Sequence, residues 1–102
     1  MYLVQLFLPL ENSQNQPIPT NVFTDLSKEL TELFGGLTTY TRSPAKGLWK
    51  EPEGKTDHDN LVIYEVITEQ INREWWKKRK ALLEKIFDQD TIHMRASMIE
   101  LL

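Results

Sequence analysis

The sequence predicts an α+β fold in which a four-stranded antiparallel sheet carries two helices on one face. Two kinds of pattern lead to this prediction. Apolar residues alternate in some segments, as in half-buried strands, and recur at three- and four-residue steps in others, as in amphipathic helices. These segments follow one another as strand, helix, strand, strand, helix, strand. The 102 residues are enough for one domain, which we expect to span residues 1–102.

The first strand is predicted over residues 2–10 and the first helix follows a polar loop, "ENSQNQPIP". In the helix "TNVFTDLSKELTELFGG", Thr20 is the expected N-cap, and Gly35 or Gly36 is expected to end the last turn in a left-handed conformation. One face of the strand is uniformly apolar and is expected to lie in the core. Its members are Tyr2, Val4, Leu6, Leu8 and Leu10.

Two strands and a long connection are predicted next. "LTTYTR" is rich in β-branched and aromatic residues and predicts a second strand from Leu37, while "NLVIYEVIT" predicts a third over residues 60–68. The intervening residues 43–59 contain two prolines, two glycines and several charges, so we expect a loop there. Trp49 in the middle of this loop is expected either to anchor it over the rim of the sheet or a partner, or to cover the end of its own core.

The last two elements are a second helix and a fourth strand. Asn72 is the expected cap of "NREWWKKRKALLEKIFDQD", and the strand "TIHMRASMIELL" alternates from Ile92. The basic run within this helix is interpreted as a solvated face. Its buried stripe is expected to contain Trp75 or Trp76, then Arg79, Leu82, Leu83, Ile86 and Phe87.

Two split βαβ units in this order predict a ferredoxin-like sandwich, whose helices cover only one side of the sheet. The covered side is expected to receive the uniformly apolar residues of each strand. The opposite side is half apolar and half polar, and a bare patch of this kind usually marks a contact surface. The predicted core residues of the sheet are Val4, Leu6, Leu8, Val62, Tyr64, Val66, Ile92, Met94 and Ala96.

The open side is therefore the predicted interface of a homodimer, because closed two-fold dimers are the commonest oligomers. A small-molecule site is predicted between this side and the 43–59 loop, and Glu65 is expected to form an ion pair with Arg95. The second strand contributes either Tyr40 and Arg42 or Thr39 and Thr41, depending on its register. The predicted lining residues are Phe7, Tyr40, Arg42, Trp49, Glu65, His93 and Arg95.

Composition excludes several functional classes. The net charge is −3 and the chain contains no cysteine, which argues against nucleic acid as the main partner and excludes thiol catalysis and disulfides. The apolar start, "MYLVQLFLPL", is far shorter than the ~20 residues that cross a bilayer and has no signal-peptide flanks. We expect a cytoplasmic protein with no membrane partner and no cofactor.

The two histidines, His93 and His58, lead to different expectations. His93 is the candidate catalytic residue, acting as a general acid or base while Arg95 holds an anionic group. The alternative, a half-buried histidine bonded to a neighbour, is favoured because no nucleophile is identifiable. His58 lies between Asp57 and Asp59, but adjacent strand residues point to opposite faces, so no metal site is expected.

The segments "LTELFGGLTTYTRSPAKGLWKE" and "DNLVIYEV" resemble a family of small bacterial proteins without an assigned activity, of the ferredoxin-like, dimeric α/β-barrel type. The resemblance implies the same fold and transfers no catalytic residue. Some dimeric barrels of similar build are cofactor-independent monooxygenases or isomerases, so an enzyme acting on a small aromatic or carbonyl compound is one alternative. An accessory subunit that binds a different protein is another.

Overall fold

The computed structural model describes the backbone of residues 1–50 and 56–102 and the side chains of residues 1–41 and 60–102. Its elements follow the predicted order. They are β1 (Tyr2–Pro9), α1 (Thr20–Phe34), β2 (Thr38–Lys50), β3 (Thr56–Thr68), α2 (Arg73–Ile86) and β4 (His93–Met98).

The four strands form one antiparallel sheet in the order β2-β3-β1-β4. The central pair is β1 and β3, and the edges are β2 and β4. Each helix connects a central strand to an edge strand, which is the double split βαβ arrangement. The predicted ferredoxin-like α+β fold is therefore confirmed.

Two of the three predicted helix ends, at Gly35 and Asn72, agree with the structure. Gly35 ends α1 at φ 77°, and its N–H bonds to the Thr31 carbonyl at 2.8 Å, because glycine enters the left-handed region without a Cβ penalty. The Oδ1 atom of Asn72 accepts the Trp75 N–H at 3.0 Å and caps α2. The prediction that Thr20 caps α1 is wrong: Pro19 holds the cap position without a side-chain hydrogen bond, and Thr20 is the first helical residue.

The core lies between the two helices and one face of the sheet. Phe87, at 0% exposure, sits just after α2 and packs edge-on against Phe23 of α1, with ring centroids 5.4 Å apart. Leu82 and Ile86, predicted to be buried, are 45% and 47% exposed. They lie beside the narrow stripe of α2 that meets the sheet. The buried cluster comprises Val4, Leu6, Leu8, Ile18, Leu26, Leu30, Val62, Tyr64, Val66, Trp76, Leu83, Phe87 and Ile92.

The core prediction for β4 holds only at its start. Ile92 is buried and Met94 packs against the core cluster, whereas Ala96 is exposed. Met98, two residues further along the same face, is 77% exposed. The end of this edge strand therefore extends past the area that the helices cover.

The prediction of a loop over residues 43–59 is wrong for residues 43–50 and 56–59, because β2 continues to Lys50 and β3 begins at Thr56; residues 51–55 lie outside the described part of the chain. The backbones pair from Ala45↔Leu61 to Lys50↔Thr56. Pro44 lies in a register irregularity between Tyr40 and Ala45, and β2 is an edge strand. Proline is tolerated at both kinds of position because a missing N–H there disrupts little of the ladder.

The consequence is a two-stranded arm. β1 pairs with β3 only as far as Leu61, so the ladder between Thr56–Asn60 and β2 continues beyond the end of β1. The predicted small-molecule site, between the open side and residues 43–59, therefore adjoins two paired strands where a loop was expected.

Candidate functional site

The side of the sheet opposite the helices is the candidate site, and we call it the open face. Its residues alternate along each strand with those of the core, which places them on the other side of the sheet. It combines apolar, polar and charged side chains. The described members are Leu3, Gln5, Phe7, Thr38, Tyr40, Leu61, Ile63, Glu65, Ile67, His93, Arg95 and Ser97.

Five of the seven predicted site residues lie in two neighbouring rows that cross all four strands. Paired residues share a face, so the register defines each row. The first row is Thr38, Glu65, Gln5 and Arg95, and the second is Tyr40, Ile63, Phe7 and His93. Because the rows are two residues apart, about 7 Å along the strands, one ligand or one partner surface can contact both.

Glu65 is the centre of a hydrogen-bonded cluster. Its Oε1 accepts Nε2 of Gln5 at 2.7 Å, and its Oε2 accepts the hydroxyl of Tyr40 at 3.3 Å. The contacts join β1, β3 and β2, and they fix the orientation of the half-buried carboxylate. They also answer the question of register: Tyr40, rather than Thr39, belongs to the open face.

The charged group at the other end of the first row is Arg95 of β4. Its guanidinium carbon lies 4.5 Å from the centroid of the Phe7 ring, within the range of a cation–π interaction. The ion pair that the sequence predicts between Arg95 and Glu65 is not among the contacts of the described residues. Gln5 stands between the two residues in the register and donates its amide to Glu65.

The open face also has an apolar part. Phe7 and Ile63 are half-buried neighbours in the second row, and Ile67 is 39% exposed. Leu61, at 5% exposure, is buried although it lies outside the helix-side cluster. The face therefore has an apolar centre of its own beside its polar cluster.

Three predicted site residues remain, His93, Arg42 and Trp49. His93 is exposed in the second row, next to Phe7. The side chains of Arg42 and Trp49 lie outside the part of the chain whose side chains the structure describes. Gln5 was not predicted as a site residue. The strand pairing places it between Glu65 and Arg95 in the first row.

The described cavities lie elsewhere. The most aromatic has a volume of about 210 Å³ and lies where α1 ends and α2 begins. Phe34 stacks there on Trp76, with centroids 5.3 Å apart. Among the described residues, no group of three or more His, Asp or Glu side chains is arranged to hold a metal ion, and no helix is long and apolar enough to span a bilayer.

Comparison with known proteins gives structural neighbours only. No protein-family model and no curated protein sequence matches the chain. A phage SAM lyase in complex with S-methyl-5′-thioadenosine matches with a TM-score of 0.63 and 16% identity, over 94% of this chain and 79% of that one. A mutant of CutA1 from Pyrococcus horikoshii OT3 matches with a TM-score of 0.60 and 14% identity, over 100% and 86%.

The phage SAM lyase in its apo state matches with a TM-score of 0.60 and 13% identity, over 94% of this chain and 78% of the other. At these identities the likeness shows the fold, and the chain shares the ferredoxin-like architecture of its neighbours. The residues of the open face must carry any functional argument.

Proposed function

We propose that residues 1–102 form a single-domain cytoplasmic protein that works as a homodimer assembled through the open face. The observation that supports this proposal is the composition of that face: half-buried Phe7 and Ile63, and partly exposed Ile67, lie on the side of the sheet opposite the helices. Association removes such apolar surface from water, and the favourable free energy is about 25 cal/mol for each Å² buried. Membership of the bacterial family that the sequence resembles stays a prediction.

A matched pair of substitutions tests the dimer. Ile67 on the open face and Leu82 on the outer side of α2 are apolar and similarly exposed, at 39% and 45%. We expect sedimentation equilibrium to give twice the monomer mass for the wild type and for Leu82→Lys, and a largely monomeric Ile67→Lys. A monomeric wild type at high micromolar concentration would contradict the proposal, and so would an Ile67→Lys variant that dimerises normally.

We further propose that the dimer binds a small molecule over the Gln5–Glu65–Tyr40 cluster. A carboxylate oriented by two donors is ready to accept a further hydrogen bond from an amine, amide or hydroxyl group of a ligand. The ring of Tyr40, which is 49% exposed on the edge strand β2, offers a surface for a flat ring. The base of the β2–β3 hairpin, near Tyr40, takes the place of the loop in this proposal.

S-methyl-5′-thioadenosine is the first probe for this site, because a structural neighbour holds it and it carries a flat ring with several donors. Isothermal titration calorimetry is expected to detect binding to the wild type. Glu65→Gln, which removes the charge but keeps the shape, should weaken binding by about tenfold or more, as expected for a charge-assisted hydrogen bond. Equal affinities for the two proteins would remove Glu65 from the site.

An enzyme acting through His93 is the alternative for the same face. A catalytic His93 must contact the reacting atoms, so His93→Gln would abolish turnover of a bound compound while leaving its binding intact. An accessory subunit is the third possibility. A monomeric wild type that retains an accessible open face would support it.

A further inference from the structure

Two opposite charges on the open face lack an ionic partner within the described part of the chain. Glu65 accepts hydrogen bonds from the neutral groups of Gln5 and Tyr40. Arg95 lies over the neutral ring of Phe7. The described ion pairs are elsewhere, on the helices. Burying the open face would therefore desolvate both charges without compensation from their own chain, which is costly.

The positions of the two charges are symmetric about β1. Glu65 lies on β3 and Arg95 on β4, and both pair with the same residue, Gln5. Each is one inter-strand spacing from Gln5, so the two backbones are about 10 Å apart. Within the described part of the chain, Glu65 bonds to Gln5 and Tyr40 and Arg95 lies over Phe7, so the two charges stand unpaired at mirrored positions in one row.

A second copy can supply the missing partners in one orientation. Sheets pack face to face about 10 Å apart. A two-fold axis parallel to β1 keeps each row at its height and reverses the order of the strands. Glu65 then faces the second copy's Arg95, and Arg95 faces the second copy's Glu65. A two-fold axis parallel to the sheets but perpendicular to the strands would oppose like charges, which is unfavourable.

The central column also suits this axis. Gln5 and Phe7 lie on β1 and would each face their own equivalents. An amide contains both a donor and an acceptor, so two glutamines can bond reciprocally. Two phenyl rings can pack in an offset or edge-on geometry. The Glu65–Arg95, Gln5–Gln5 and Phe7–Phe7 pairs are therefore compatible, and the same axis places Ile63 opposite the second copy's His93.

We propose that the open face packs on a second copy of this chain about a two-fold axis parallel to β1, with Glu65 of each copy paired to Arg95 of the other. This inference rests on the proposed homodimer and specifies its geometry. It makes the Glu65 cluster a composite site, to which the second copy contributes a guanidinium group. The pairing selects the orientation more than it adds affinity.

Charge reversal and mixing test the geometry. Glu65→Arg and Arg95→Glu should each weaken self-association by roughly a hundredfold or more, because each homodimer opposes like charges twice. Mixed in equal amounts, the two variants should form a heterodimer, since one copy then carries arginine at both positions and the other glutamate at both. Native mass spectrometry with one isotopically labelled variant identifies that species. The double variant Glu65→Arg, Arg95→Glu should also dimerise.

The outcomes separate this inference from the dimer itself. A dimeric wild type whose two reversed variants fail to form a heterodimer would overturn the geometry and leave the proposed function standing. A monomeric wild type would contradict the proposed function. If either reversed variant is unfolded by circular dichroism, the neutral variants Glu65→Gln and Arg95→Gln take its place. Their effects on the dimer dissociation constant must then be non-additive, and additive effects would refute the pairing.

Discussion

Glu84, in α2, accepts the backbone N–H of Ile92 at 3.0 Å, and this contact ties the helix to the residue that precedes β4. The same carboxylate oxygen accepts Nζ of Lys80 at 2.6 Å. The hydrogen bond from Lys80 and then the backbone hydrogen bond from Ile92 hold the pKa of the Glu84 carboxyl below its ordinary value. Ile92 is a buried core residue, so the contact links charge to core packing.

The first prediction concerns pH. A carboxyl whose folded pKa is lowered contributes stability above its unfolded pKa of about 4.5, and the contribution is lost as pH falls through the folded value. Glu84→Gln should therefore lower the free energy of unfolding by about 1–2 kcal/mol at pH 7, and by less at pH 3, which is below the unfolded pKa. Urea denaturation at both pH values measures this. Glu32→Gln, exposed on α1, is the control, and an equal loss for both variants would exclude the contact as the cause.

The second prediction compares two adjacent glycines. No atom lies within 4 Å of the position of an added Cβ at Gly35 or at Gly36, but only Gly35 has a positive φ, 77°. Gly35→Ala should destabilise the fold by about 1 kcal/mol because alanine is strained in the left-handed region. Gly36→Ala should be neutral or slightly stabilising. Thermal denaturation of the two variants separates backbone strain from crowding.

The third prediction tests the core. Phe87 is fully buried, whereas Leu82 of α2 is 45% exposed. Phe87→Ala removes a ring that packs edge-on against Phe23, so we expect a loss of about 3–5 kcal/mol. Leu82→Ala should cost less than about 1 kcal/mol, in the range of surface changes. Chemical denaturation provides both values. Comparable losses would contradict the burial of Phe87 and the exposure of Leu82.

The fourth prediction concerns the bridge between the helices. Arg79 of α2 pairs with Glu29 of α1 and lies over the ring of Trp75, with its guanidinium carbon 4.8 Å from the ring centroid. Arg79→Lys keeps the charge but loses the planar stacking, so it should cost about 0.5–1 kcal/mol. It should also change the tryptophan emission maximum. Lys77→Arg, at an exposed position on the same helix, should leave both measurements unchanged.

The sequence predicts the elements whose period is long and regular. The alternation in β1 and over residues 60–68 places the correct residues on each face, because a one-residue slip would expose the whole apolar set. It also predicts that Phe7, Glu65, His93 and Arg95 share a face. The contact of Gln5 with Glu65 depends on the register between strands, which places Gln5 opposite both Glu65 and Arg95. No local pattern in one strand shows which residue of the next will lie opposite.

The β2–β3 arm shows where local patterns fail. Proline, glycine and charge in residues 43–59 are typical of loops, yet β2 reaches Lys50 and β3 starts at Thr56. The strands gain backbone hydrogen bonds by pairing with each other, and this gain overrides weak β propensity. The prediction that Thr20 caps α1 fails because the helix starts at Thr20 itself. Helix α1 begins one residue earlier than a threonine cap requires, after Pro19, whose φ is −57°.

The position of β1 in the middle of the sheet has a consequence for how the chain acquires its structure. This strand, residues 2–9, is synthesised well before its neighbours, residues 61–68 and 93–98. One edge of β1 stays without its partner until residues 61–68 are made and the other until residues 93–98 are made, and pairing over such distances closes slowly. We therefore expect the sheet to be completed in a late step, once residues 93–98 are available, and nascent chains truncated before residue 93 to depend on chaperones that shield β1.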